Sequence, residues 1–210
     1  MRITFFALAA AGALAACNPA APGGGVSTVF PDLSQGAYRL EATVTDDDGV
    51  SMPMVLIRDG AKMRIEATTP EGASAIIANP ETGETIVISN AGGRATAMRV
   101  STSDFENPAA QWQAEMTGST AVGPCSAAGE NGTEWTRTDE AGEVSTACVT
   151  SDGIVLRGTE DGRTTWEATR VQRGAQSADL FRVPPGVEVV DLGATMNDAI
   201  ESARAAAGQN

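Results

Sequence analysis

The side chains able to carry out chemistry are few in kind. Histidine is absent, which removes Ser-His-Asp and Cys-His catalysis and every His-ligated metal site. Lysine occurs once, at Lys62, so amine chemistry has a single candidate. Lys62 is followed by Met63, which excludes a P-loop. No GxSxG, SxxK or HExxH motif is present, and Gly23-Gly24-Gly25 belongs to a linker rather than to a GxGxxG turn. Acids are plentiful: 27 Asp and Glu stand against 14 Lys and Arg, a formal charge of −13. No basic stripe suited to nucleic acid interrupts them. Asp46-Asp47-Asp48-Gly49 invites a calcium reading, but an EF-hand loop needs alternating ligands and a Glu at its twelfth position. Counted from Asp46, that position is Ile57, so the motif reads as a solvated hairpin turn, as does the stretch Asp139 to Glu143. Carboxylate pairs suited to glycosidic chemistry arise by chance among so many acids, and none is singled out. We therefore expect no enzyme, no catalytic residue, no metal and no cofactor.

The three cysteines are the remaining reactive groups, and the first has a distinctive setting. Arg2 precedes an apolar run from Ile3 to Leu14. That run is too short for a transmembrane helix, which needs about 20 residues, and suits the core of a signal peptide. It ends in Leu14-Ala15-Ala16-Cys17, which resembles the lipobox of bacterial lipoproteins. The resemblance implies cleavage before Cys17, acylation of Cys17 and a membrane anchor. Two or more acyl chains hold firmly where one holds marginally. The alternative is an ordinary signal cleaved after Ala16, with Cys17 a free thiol. Asn18 stands where Asp signals inner-membrane retention in such lipoproteins, so the resemblance favours the outer membrane, facing the periplasm. Residues 18–27, NPAAPGGGVS, have the Pro, Gly and Ala content of a flexible tether.

Cys125 and Cys148 remain. An even pair in an oxidising compartment most simply forms a disulfide, here between adjacent strands or from a loop onto a hairpin. A redox or metal pair is the alternative; CxxC spacing is absent, and two thiolates without His make a poor zinc site.

These groups must be positioned by short strands. Turn signals recur at Asp48-Gly49, Asp59-Gly60, Thr82-Gly83, Ala91-Gly92-Gly93, Asn131-Gly132, Asp152-Gly153 and Asp161-Gly162, and such pairs favour the positive φ of tight hairpins. Between them the chain alternates. Tyr38, Leu40, Ala42 and Val44 share one face, as do Met63, Ile65 and Ala67. The runs 75–77, 86–88 and 154–156 are apolar. This pattern predicts a mainly β fold, an antiparallel meander. Helical signal is confined to Asn107 to Met116, with Asn107 as N-cap, Pro108 at the first position and Trp112 and Met116 inward, and to an Ala-rich stretch, Asn197 to Ala207. The expected organisation is a signal peptide over 1–16, lipidated Cys17 and tether over 17–27, one β domain over 28–192 and a tail over 193–210.

The segments AKMRIEATTPEG (61–72) and ASAIIANPETGETIVIS (73–89), closed by Asp161-Gly162, by Arg170-Val171-Gln172-Arg173-Gly174 and by Leu180 through Gly186, resemble a family of bacterial envelope proteins of unassigned function. The pattern over about 36–190 is also similar to the lipoprotein localisation factors LolA and LolB. That resemblance implies an antiparallel sheet curved into a half-barrel, one or two short helices over its mouth, and an apolar interior that holds acyl chains. Met52, Met54, Met63, Met98 and Met116 form a candidate apolar ligand face, because Met adapts to irregular apolar partners; core packing is the alternative. Trp112, Trp135 and Trp166 carry the same ambiguity, and each buried indole N–H needs a partner. The expected role is a non-catalytic binding module for lipid or lipoprotein acyl chains, or a structural lipoprotein docking an envelope protein partner.

Overall fold

A computed structural model describes residues 29–69, 72–91, 93–101 and 107–191. The lipobox with Cys17, the tether and the Ala-rich tail lie outside the described residues. Twelve strands and one α-helix are present among those described. They are β1 (Ala37–Thr45), β2 (Ser51–Asp59), β3 (Lys62–Thr69), β4 (Gly72–Asn79), β5 (Glu84–Ala91), β6 (Arg94–Ser101), α1 (Pro108–Glu115), β7 (Thr120–Ala127), β8 (Glu130–Thr138), β9 (Val144–Val149), β10 (Val155–Glu160), β11 (Arg163–Arg173) and β12 (Val189–Asp191).

All twelve strands join one open sheet in the order β12-β6-β5-β4-β3-β2-β1-β11-β10-β9-β8-β7. Two meanders, β1–β6 and β7–β11, are joined where β1 pairs antiparallel with β11. The expected antiparallel half-barrel is therefore observed, with one addition: short β12 runs parallel to β6. The Gly-containing turns explain the hairpins. At Asp161-Gly162 both residues have positive φ (48° and 78°), the geometry of a type I′ turn whose twist matches its strands.

One expected turn is displaced. Asn131-Gly132 lies inside β8, and the β7–β8 hairpin turns at Ala128-Gly129, with φ of 53° and 76°. The glycine at 132 serves close approach instead. A Cβ built there would sit 2.6 Å from the Val149 carbonyl oxygen and 3.3 Å from Cys125 Sγ. The disulfide Cys125–Cys148 forms as expected, but it does not tie neighbouring strands. It runs from β7 to β9, with β8 between them in the sheet and its bare Gly132 beneath the bridge. A two-strand step is normally about 9–10 Å, yet the two Cα atoms are 5.9 Å apart. The sheet therefore rolls tightly here, and β7 reaches β9, β10 and β11 as well as its neighbour β8.

The two halves differ in regularity. The ladders joining β1 through β6 are unbroken. Register shifts interrupt β1–β11, β11–β10, β10–β9 and β8–β7, and bulges bend strands and increase twist. Two apolar clusters follow. One packs Leu33, Tyr38, Leu40, Trp135, Leu156 and Trp166 on the side that faces α1, here called the inner face. The other packs Ile57, Ile77, Ile86 and Ile88 on the outer face, where the chain from the 3₁₀ turn Ala178–Phe181 to β12 covers them with Phe181 and Val189.

Candidate functional site

The inner face is built in rows across the strands. Cross-strand pairing sets Leu40, Leu56, Ile65, Ile76, Val87 and Met98 side by side from β1 to β6. Strand alternation makes each of these positions inward, so one apolar row crosses six strands. Over β1–β3 the row is roofed by α1. Asn107 caps that helix by accepting from the Ala109 N–H at 3.0 Å, with Pro108 at its first turn as expected. Trp112 projects from α1 onto Trp166 of β11, edge to face, with ring centroids 5.5 Å apart. The Trp166 indole donates to the Val155 carbonyl at 3.0 Å, which fixes the ring. Upstream, the Leu33 N–H donates to Gln113 Oε1 of α1 at 2.9 Å, so the segment before β1 closes one side.

Between roof and sheet lies a cavity of about 230 Å³, lined by Leu40, Leu56 and Ile65 below and by Pro108, Ala109 and Trp112 above. Its walls are almost wholly apolar. An enclosed apolar cavity of about 150 Å³ accepts a benzene-sized guest; this one is larger and partly open to solvent.

The five candidate methionines divide. Met54 and Met63 line the cavity. Met52 lies on the same face of β2 as Met54, two residues nearer the strand start and outside the lining. Met98 lies four strands from β2 at the far end of the apolar row, 37 % exposed. Met116 is buried at the C-cap of α1 and belongs to the inner core. Trp112 and Trp166 face the cavity, whereas Trp135 packs edge to face on Phe30 at 5.3 Å and is core. The Trp135 indole N–H is buried without a partner, contrary to the expectation for each indole.

Sequence reasoning passed over Arg58. It occupies an inward position in phase with Met54 and Leu56, between Tyr38 of β1 and Met63 of β3. A charged residue in the apolar phase of a strand is the signal that marks it. Arg58 is 1 % exposed. Burial pushes the neighbouring Tyr38 phenol up, partly opposed by the Arg58 charge, so the hydroxyl keeps its proton at neutral pH.

No group of acids and cysteines able to hold a metal is found among the described residues. The Asp46 turn is closed on itself: Asp46 Oδ1 accepts from the Val50 N–H at 2.8 Å, and the Asp46 N–H donates to the Val50 carbonyl at 3.1 Å. A polar cleft near the end of α1 contains Glu115 and Glu160. Burial, with Glu160 nearby, holds the Glu115 carboxyl above its ordinary range. No helix among the described residues is long and apolar enough to cross a membrane.

Fold and site together define an open antiparallel half-barrel with an apolar cavity under a short helix. Among solved structures, one reaches a fold-level likeness and others match more weakly. A chain of the complex of Pseudomonas aeruginosa MucA/MucB matches with TM-score 0.50 and 13 % identity, over 75 % of this chain and 59 % of that one. The crystal structure of MucB matches with TM-score 0.43 and 11 % identity, over 76 % and 61 %. PNGF-II matches with TM-score 0.42 and 12 % identity, over 78 % and 32 %. This chain spans less than two thirds of each of these solved chains, and at such identities the likeness concerns the fold. No protein-family model matches the chain, and no curated protein matches it.

Proposed function

We propose that this chain is a non-catalytic binding module of the bacterial envelope, anchored through acylated Cys17, that takes an acyl chain into the cavity under α1. The cavity is the observation that carries this reading. It is preformed, walled by apolar side chains from β1–β3, α1 and β11, and continued across β4–β6 by the partly uncovered Ile76, Val87 and Met98. Sites for small apolar ligands have this form. The sequence resemblance to LolA and LolB, with their acyl-holding interior, supports it, and so does the lipobox. The net charge of −13 disfavours direct contact with anionic headgroups, and the tether would hold the domain off the membrane, in our reading the outer membrane on its periplasmic side. Titration of the Cys17→Ser chain with hexadecanoate tests the reading, because Trp112 and Trp166 both border the cavity and report its filling by fluorescence. A saturable change lost in a cavity-filling Leu56→Trp variant is expected. An unchanged spectrum up to the solubility limit contradicts it.

A second reading, docking of a protein partner, has its own support. Strand β7 is a sheet edge and exposes Val122 to 55 %, and free edges accept added strands. The solved chain that reaches a TM-score of 0.50 comes from the complex of MucA with MucB. A photocrosslinker at Val122 in native membranes would yield one discrete adduct if this edge docks a partner, and a smear or none if it does not.

A further inference from the structure

We infer that Arg58 is an oxyanion anchor at the end of the cavity, and that the ligand is a singly acylated amphiphile with a terminal carboxylate or phosphate. This rests on the acyl-binding reading above.

The argument starts from the cost of burying a charge. A guanidinium stays charged in proteins, and a buried charge is normally paired, since an unpaired one costs several kcal/mol. Arg58 is 1 % exposed and makes no ion pair: among the described residues, none of the salt bridges within 4.0 Å includes it. Asp32 feels the Arg58 charge but makes no ion pair with it, and both Asp32 and Asp152 spend their oxygens on other donors. Asp32 accepts from the Ser34 hydroxyl at 2.6 Å and the Ser34 N–H at 2.8 Å. Asp152 accepts from Arg173 Nε at 2.7 Å and Nη2 at 3.2 Å.

Arg58 itself lies just behind the cavity lining, which its cross-strand neighbours Tyr38 and Met63 form. Nη1 donates to the Ser34 carbonyl at 2.7 Å. Nη2 donates to the Met63 sulfur, at 3.7 Å, a weak acceptor, and the guanidinium also has the neutral Tyr38 hydroxyl beside it as a hydrogen-bond acceptor. Nε is buried with no partner. The Nε–Nη2 edge, one of the two forks that grip a carboxylate or phosphate with two parallel bonds, therefore has no anionic acceptor. Met63, the residue on that edge, also lines the cavity, as does Tyr38 on the other flank of Arg58. An oxyanion there would take Nε–H and Nη2–H, with the Tyr38 hydroxyl beside it as a further donor. Flexible Met63 would turn aside. Leu56, two residues along β2 on the same face, belongs to the apolar row that would carry the chain.

The test compares four ligands of equal chain length on the full chain carrying Cys17→Ser: hexadecanoate, hexadecyl phosphate, methyl hexadecanoate and hexadecan-1-ol, each by tryptophan fluorescence at pH 8. One or both anions should bind at least about tenfold tighter than the neutral pair, the scale of a charge-assisted bidentate contact. Preference between the anions identifies a fatty acid or a phospholipid-type head. Arg58→Met should abolish the anion preference while leaving methyl hexadecanoate affinity within about twofold, and Arg58→Lys should restore part of it. Equal binding of all four to the native chain overturns the inference yet leaves acyl binding standing. No binding of any of the four overturns both. The native-chain comparison needs no variant to fold.

Discussion

The sheet is one continuous ladder, but its halves are held by different means. From β7 to β11 the strands are bulged and rolled, bridged by Cys125–Cys148 and packed around Trp135 and Trp166. From β2 to β6 they are regular, carry no tryptophan, and are backed on the outer face by isoleucines under Phe181. The rolled half supplies Trp166 and Val155 as a fixed wall. The regular half supplies an unbroken apolar row that emerges from beneath α1 toward exposed Met98. A stiff wall meeting an open floor produces a cavity with one end free, which suits a guest longer than the cavity itself.

This contrast can be broken most severely at Trp135. Trp135→Ala removes a fully buried indole packed on Phe30 and should cost about 4 kcal/mol, read as a lower urea midpoint. Trp135→Phe should cost far less, because it also removes the unpartnered N–H. Next is the bridge. Replacing both Cys125 and Cys148 by Ser frees a loop with a sequence separation of 23 and should cost about 3 kcal/mol. Hydrogen exchange should then accelerate in β7 and β8 while β3–β5 keep their protection. Uniform acceleration would show that the halves unfold as one unit.

The regular half should respond more mildly. Ile77→Val trims the outer core and should cost about 1 kcal/mol, with ligand affinity unchanged, because Ile77 faces away from the cavity. The smallest effect belongs to Asp152 and Arg173. The guanidinium holds the Asp152 carboxyl down to about 2 from 3.8. Because the folded value is the lower one, the pair stabilises above pH 4 and that contribution fades as pH falls from about 4 to 2. Both side chains are over two fifths exposed, so Asp152→Asn should cost less than about 1 kcal/mol at pH 7. The difference from the native chain should shrink in unfolding curves at pH 2 and vanish below it.

Much of this was legible in the chain. Alternation at Tyr38, Leu40, Ala42 and Val44 marks the inner face of β1, and Asn107-Pro108 marks the start of α1, because both are local signals. Asn131-Gly132 misled, since a glycine required by a neighbouring strand looks the same as one required by a turn. The disulfide pair was readable by arithmetic, but its span over β8 depends on how far the sheet rolls, which bulges decide and composition conceals. The cavity was illegible for a related reason. Its floor comes from β1–β3, its roof from α1 and its wall from β11, and nothing local records that they meet. Methionine content alone pointed to five residues of which two line the cavity. Arg58 stood in plain view at an apolar phase of β2, and only its burial with an unpartnered Nε gives it meaning.

The most direct measurement is a native mass spectrum of the Cys17→Ser chain, purified without detergent from a host that makes lipid. The account predicts a reproducible added mass equal to one singly acylated amphiphile, lost in the Leu56→Trp chain. A clean unliganded mass that hexadecanoate and hexadecyl phosphate cannot shift would contradict it.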